Sequence, residues 1–272
     1  MIKAFNIPIA QNNEEKKEYR WQVAVSLLIL FVSFSLANVA FLREVNRLKV
    51  EAGNIGNKLS IPLFDHLLST GIYSLILGAV IIFIGLWVSS RANLGAPVLA
   101  RLFSKKPVNK LINWKSFLSS IILAVVVAVV ILGLFELQKS LYPVAALQER
   151  PSKLYYIHVS FVAGTTEEIV FRIGLMSLLV TAFQFLRKLE KPTNTLVWMG
   201  IILSSLVFGL VHFPITSNFF ELTPFTIGVT MAGNLITGTT FGWIFWKRGL
   251  LVAIAAHIAF DLTFHVIGSP FG

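Results

Sequence analysis

A chain of 272 residues that is 56% hydrophobic and 13% charged, with a mean hydropathy of +0.77, lacks the composition of a soluble domain and reads as a polytopic membrane protein. Its net charge of +10 would suit nucleic acid, but the lysines and arginines lie in tails and loops flanking apolar segments, where a topology signal explains them and nucleic acid is excluded as a partner. The absence of cysteine excludes disulfides, thiolate metal sites and cysteine nucleophiles.

Residues 1–20 form a basic N-terminal tail in which Lys16, Lys17 and Arg20 precede an apolar run. That front resembles a signal peptide, but about 20 apolar residues exceed the roughly 7 to 15 of a cleaved core, so a retained helix is expected. Seven segments follow in order: Trp21 to Leu42, Ile72 to Ser89, Ser116 to Phe135, Tyr155 to Leu186, Leu196 to His212, Pro224 to Trp246 and Leu250 to Ile267. Each is near or above the roughly 20 residues that cross hydrocarbon. Their apolar character is continuous rather than alternating, which argues for helices over barrel strands. The expected fold is all-α, a polytopic transmembrane helix bundle of about seven spans lying in the lipid bilayer. Helices within 21–140 are expected as scaffold and 141–272 as the functional core, with Arg91 to Lys115 a plain basic loop containing Gly95, Pro97 and Pro107.

The N-tail, the 91–115 loop, the 187–191 loop and Lys247-Arg248 place 15 Lys/Arg on one face against seven on the other. This bias puts the N-terminus inside and, with seven spans, the C-terminus outside. All six tryptophans lie toward the basic face, and Tyr73, Tyr142, Tyr155 and Tyr156 mark the other, as an interfacial belt.

The fourth segment carries Gly164-Thr165-Thr166-Glu167-Glu168-Ile169-Val170-Phe171-Arg172. Each charge at a helix centre costs roughly 2.5–3.5 kcal/mol on insertion scales, so acids here require a reason. Glu168 and Arg172 are four apart with the acid first, the favourable order for a same-face ion pair. Glu167 points about 100° away and is left over for chemistry. A bare Glu-Glu-x-x-x-Arg could also be a buried packing network. Three further groups weigh against that: His212, ending Phe208-Gly209-Leu210-Val211-His212, and the pair His257 and Asp261, which share a helix face. Glutamate, two histidines and an aspartate on three helices form a ligand and acid–base set.

The remaining candidates rank lower. His265 extends the 257, 261 spacing but reads as a packing or interfacial residue, His158 lies near a helix start, and His66 lies in a loop. Asn234 could face a cavity, while Gly228, Gly233 and Gly238 read as close helix packing. An aspartyl pair is excluded because the only aspartates are Asp65, in a loop, and Asp261; no His-Glu-x-x-His exists, and Ser204 and Ser205 read as packing residues.

Taken in order, Glu167-Glu168-x-x-x-Arg172, Phe208-x-x-x-His212 and His257-x-x-x-Asp261 resemble the three signatures of the CPBP family, the CAAX and bacteriocin-processing (Abi) intramembrane proteases, over about residues 155–265. The resemblance implies a multi-pass protein of the cell membrane, an intramembrane endopeptidase like the CAAX prenyl endopeptidases, acting on a membrane-associated peptide or protein. Glu167 would activate water together with His212. Glu168, Arg172 and Phe208 would hold and tune the site. His257 and the residue four later would stabilise an oxyanion or bind metal. The family often has asparagine at that last position, and this chain has Asp261, which when ionised cannot donate to an oxyanion. Asp261 therefore carries a proton, orients His257 or ligates a metal. Two versions stay open: a divalent ion such as zinc held by Glu167, His212, His257 and Asp261, or no metal. Some family members are instead assigned non-catalytic roles as membrane regulators or bacteriocin-immunity proteins, and that alternative stands beside the enzyme. The cavity is expected to open toward loops 43–71, 136–154 and 213–223, the less basic face.

Overall fold

The computed structural model describes residues 20–53, 61–104 and 113–268. The N-terminal tail lies outside them except for Arg20, as do Lys105, Lys106, Pro107 and Lys110. The described residues form eight helices: α1 (Arg20–Glu51), α2 (Leu63–Arg91), α3 (Pro97–Phe103), α4 (Trp114–Leu141), α5 (Lys153–Leu186), α6 (Asn194–Thr216), α7 (Pro224–Arg248) and α8 (Leu250–Ile267). No strand occurs among them. The all-helical polytopic bundle expected from the sequence is therefore the observed architecture.

Six of the helices are long and apolar enough to cross a membrane, one fewer than the seven apolar segments. The difference is α7, whose 25 residues reach about 37 Å. Its apolarity is diluted by Thr226, Thr230, Asn234 and Thr237, and these polar positions all line an interior cavity. Three loop assignments are corrected. Pro97–Phe103 is helical, with Pro97 in its first turn and Leu99 and Ala100 buried, so the 91–115 segment is not a plain loop. Asp65 and His66 belong to the first turns of α2, because Pro62 precedes the helix as its cap and His66 N–H donates to Pro62 O.

Local chemistry sets several helix starts. The Asn113 side chain accepts from the N–H groups of Lys115 and Ser116, and Thr193 from Leu196. Thr223 and Thr226 cap each other reciprocally ahead of α7, with Pro224 in its first turn. Between α7 and α8 stands Gly249 at φ 82°, where a Cβ would also come within 2.5 Å of Pro97. Leu250 N–H then donates to Gly95 O at 3.1 Å, tying α8 to the α3 connection.

The main apolar cluster includes Leu27 and Phe31 of α1, Ile82 of α2, Ala124 and Ala128 of α4, Ile169, Ile173 and Met176 of α5, Ile201 of α6, Phe241 and Phe245 of α7 and Ala253 and Ala256 of α8, and a smaller one joins Phe41, Val45 and Tyr156. Outward positions such as Leu75, Ile76, Val80, Ile122, Val126 and Leu203 stay exposed, a surface that acyl chains rather than water would cover. Close contacts use particular glycines: Gly164 of α5 against Ile258 of α8, and Gly238 of α7 against Ser205 of α6. Gly228 and Gly233 do not act this way, since a Cβ at either would meet nothing within 4 Å; Gly233 lines the cavity instead.

Helix α5 changes pitch at its working end. Residues Lys153–Glu168 are α-helical, Ile169–Met176 are π-helical, and Ser177–Leu186 resume the α form. Ser177 Oγ donates back to Arg172 O at 2.8 Å, five residues earlier. A π segment opening next to Glu168 is the kind of local irregularity that gathers at functional sites.

Candidate active site

Helices α5, α6 and α8 bring the four sequence-derived candidates together. His212 Nε2 lies 4.0 Å and His257 Nε2 3.8 Å from Glu167 Oε2, and His257 Nε2 lies 3.7 Å from Asp261 Oδ1. All four line one cavity of about 360 Å³. Glu167 and His212 remain 28% and 23% exposed at their side chains, whereas His257 is 5% exposed, so the first two meet the cavity space and the third forms its floor.

Each histidine ring is fixed through its other nitrogen. His212 Nδ1 donates to Phe208 O at 2.6 Å within the last turns of α6. His257 Nδ1 donates to Glu168 Oε1 at 3.0 Å. Both acceptors take hydrogen bonds only, so both imidazoles hold a proton on Nδ1 and turn Nε2 toward Glu167. The rings are also clamped by aromatics. Phe241 stacks on His257 at 4.4 Å, Phe208 packs on His212 at 4.4 Å, and Phe171 packs edge-on to Phe208 at 4.9 Å.

Beneath these lies a charged clasp. Arg172 Nε donates to Glu168 Oε2 at 3.0 Å and Nη2 to Oε1 at 3.5 Å, with both side chains fully buried. Glu168 thus holds Arg172 on its own helix and His257 across to α8. The second contact was invisible to helix spacing, and it assigns the orienting of His257 to Glu168 rather than to Asp261. Arg172 also lies 5.8 Å over the Phe208 ring.

Other residues take structural places. Ser204 and Ser205 are fully buried and donate to Ile201 O at 3.0 and 2.7 Å. His158 Nε2 bonds Ala37 O of α1 at 2.9 Å. His265 lines the cavity, stacked on Tyr156 and bonded to Arg150, so it is more than a lipid-interface residue. The helices expected as scaffold contribute walls as well, through Phe41 of α1 and Ile131, Leu132 and Phe135 of α4. No alternation or spacing rule would have assigned these four, because they are apolar residues on apolar helices.

Residues 150–263 match the family described as type II CAAX prenyl endopeptidase Rce1-like. The Rce1-like match starts just ahead of α5, ends two residues past Asp261, and contains Glu167, Glu168, Arg172, Phe208, His212, His257 and Asp261. On this stretch the resemblance drawn from three short motifs is borne out. The family is one of CAAX-type proteases, which supports proteolysis at the membrane as the class of activity and a membrane-associated protein or peptide as the class of substrate. No curated protein and no solved structure matches the chain.

A zinc ion bound at roughly 2.0–2.1 Å by nitrogen and carboxylate ligands would place neighbouring donor atoms about 3.3 Å apart in a tetrahedron. The separations here, 3.7 to 4.0 Å, are wider, and no group of three or more such side chains among the described residues is arranged to hold a metal ion. The same groups face the cavity, from which a water could reach them. Turnover is accordingly expected to persist after exhaustive chelation; activity lost to chelator and restored by zinc would show that the four groups close onto a metal.

Proposed function

We propose that this protein is an intramembrane endopeptidase in which Glu167 activates water for hydrolysis of a peptide bond in a membrane-associated, lipid-modified substrate. The observation that carries this reading is the convergence of two preset Nε2 atoms on one oxygen of Glu167 at the wall of the cavity. Water donates one proton toward His212 Nε2 and one toward Glu167. Its oxygen attacks the scissile carbonyl carbon as Glu167 accepts the proton. The carbon–nitrogen bond then breaks, and Glu167 returns the proton to the leaving amine, so the base ends as it began. His257, with a proton on Nε2 as well as Nδ1, donates to the developing oxyanion from the opposite side. Glu168 has no direct part in these transfers; it holds the ring that makes the donation.

Asp261 tests the oxyanion step. An ionised carboxylate 3.7 Å from His257 Nε2 accepts but cannot donate, whereas an amide donates to the same place. Asp261→Asn is expected to keep or raise kcat, and Asp261→Ala, which supplies no donor, to fall below the asparagine variant by about tenfold or more, the scale of one stabilising donor. Steady-state kinetics on both variants checks this; an inactive asparagine variant would show that the acid form itself is required.

Apolar walls formed by Phe41, Ile131, Leu132 and Phe135 suit an acyl or isoprenoid chain beside the polar floor. We place the mouth near Lys139 at the end of α4 and Phe219 and Phe220 beyond α6, cavity-lining residues on the face with the fewer basic residues. In intact cells, cysteines replacing Lys139 and Ser217 should react alike with an impermeant reagent and one replacing Lys188 should behave oppositely; identical labelling of all three would contradict this placement of the mouth. The activity itself is tested by incubating the purified protein with a prenylated C-terminal peptide and identifying products by mass spectrometry. A new pair of fragments is expected, and an intact peptide would favour a non-catalytic regulator.

A further inference from the structure

Arg150 is a cation lining the cavity whose charge the proposed chemistry leaves unused. It lies in the connection ahead of α5, half-buried, and lines the same cavity as Glu167 and His257. Its Nε donates to Tyr156 OH at 3.2 Å and its Nη2 to His265 Nδ1 at 3.2 Å. The guanidinium also rests 4.9 Å from the Tyr156 ring centroid, and Tyr156 stacks on His265 at 4.8 Å with an interplanar angle of 9°. Guanidinium can only donate, so His265 accepts and is a neutral imidazole at this contact. The supports are thus a phenol, a neutral ring and an aromatic face. Among the described residues no carboxylate pairs with Arg150, and its Nη1 has no protein acceptor and is not buried. This is a propped cation held open toward the cavity.

We infer that Arg150 is the anchor for the free C-terminal carboxylate of the substrate, and that its distance from Glu167 sets how far from that terminus the chain is cut. The inference rests on the proteolytic reading above. A carboxylate is the ligand that a planar, donor-only fork fits best. His265 stands eight residues beyond His257 on α8, roughly 10–12 Å along a stretch that turns from α- to π-helical at Leu262, and marks the level of Arg150 relative to the floor that holds His257. An extended peptide advances about 3.3–3.4 Å per residue, so that interval holds three to four residues. A CAAX tail places three residues between the bond after its modified cysteine and the free carboxylate, which fits this length. The anchor also solves an energetic problem. A terminal carboxylate drawn to the depth of His257 would be desolvated, whereas one left at the level of Arg150 stays at the mouth while the scissile bond goes in.

The test compares one prenylated peptide with a free C-terminal acid against the same peptide with a C-terminal amide, measuring kcat/KM for each. The unmodified enzyme should prefer the acid by roughly 10- to 100-fold, the scale of a charge-assisted hydrogen-bonded pair. In Arg150→Ala the acid/amide ratio should fall to about 1, with most of the change in KM, and Arg150→Lys should keep part of it. Because the ratio is taken on a single preparation, any loss of folded protein cancels. Equal rates for acid and amide in the unmodified enzyme, or a full preference kept in Arg150→Ala, would overturn the anchor while leaving proteolysis intact. Cleavage of neither peptide by the unmodified enzyme would overturn both. Lengthening the peptide by two residues beyond the prenylated cysteine's normal tail should cut its rate at least tenfold if the anchor measures distance, and unchanged cleavage at the cysteine would refute the ruler.

Discussion

Glu167→Gln should reduce kcat by about 10²–10⁴, the range general bases contribute, with little change in substrate affinity or thermal stability. The amide is nearly isosteric and can still hold the attacking water through its oxygen, but it cannot take a proton. Folding should be spared because Glu167 is partly exposed and its nearest charged or ring neighbours stand at 3.8 and 4.0 Å, beyond hydrogen-bond reach. The measurement is single-turnover hydrolysis of a prenylated peptide by purified protein alongside its thermal unfolding. A glutamine variant that turns over at the normal rate would remove Glu167 from the mechanism.

Arg172→Ala should act oppositely, lowering stability before chemistry. Arg172 and Glu168 are both fully buried, and removing one partner of such a pair typically costs about 3–5 kcal/mol because the other charge is left uncompensated. The loss extends outward, since Glu168 also orients His257 and Arg172 lies over the Phe208 ring, whose carbonyl fixes His212. Little protein should accumulate in the membrane, and what is purified should unfold at markedly lower temperature. Pairing the change with Glu168→Gln should recover part of the stability, as the buried charge is then gone, without restoring activity, since His257 loses its carboxylate partner. A single Arg172→Ala protein with unchanged unfolding would refute the clasp.

What sequence reading could reach was local. Continuous apolar runs gave the crossing helices, and four-residue spacing put Glu168 beside Arg172 and His257 beside Asp261, because both follow from the pitch of a helix and nothing else. Contacts between helices were out of reach: the bond from Glu168 to His257 joins residues 89 apart, and no spacing rule connects them. The same limit hid Arg150, whose partners Tyr156 and His265 come from opposite ends of the catalytic core. Helix α7 was legible as a segment, although its threonines and Asn234, which line the cavity, dilute its apolarity. Helix α3 was missed since seven residues between a proline and a serine carry no period long enough to read.

The clasp also bears on how such a chain is made. During synthesis α5 leaves the ribosome well before α8, so Glu168 enters the translocation machinery with His257 not yet translated. Had its stabilising partner been the distant histidine, a bare acid would have had to wait in the lateral gate. An arginine one turn away on the same segment neutralises one of its two acids from the start, and the later arrival of α8 adds a second task, holding the His257 ring.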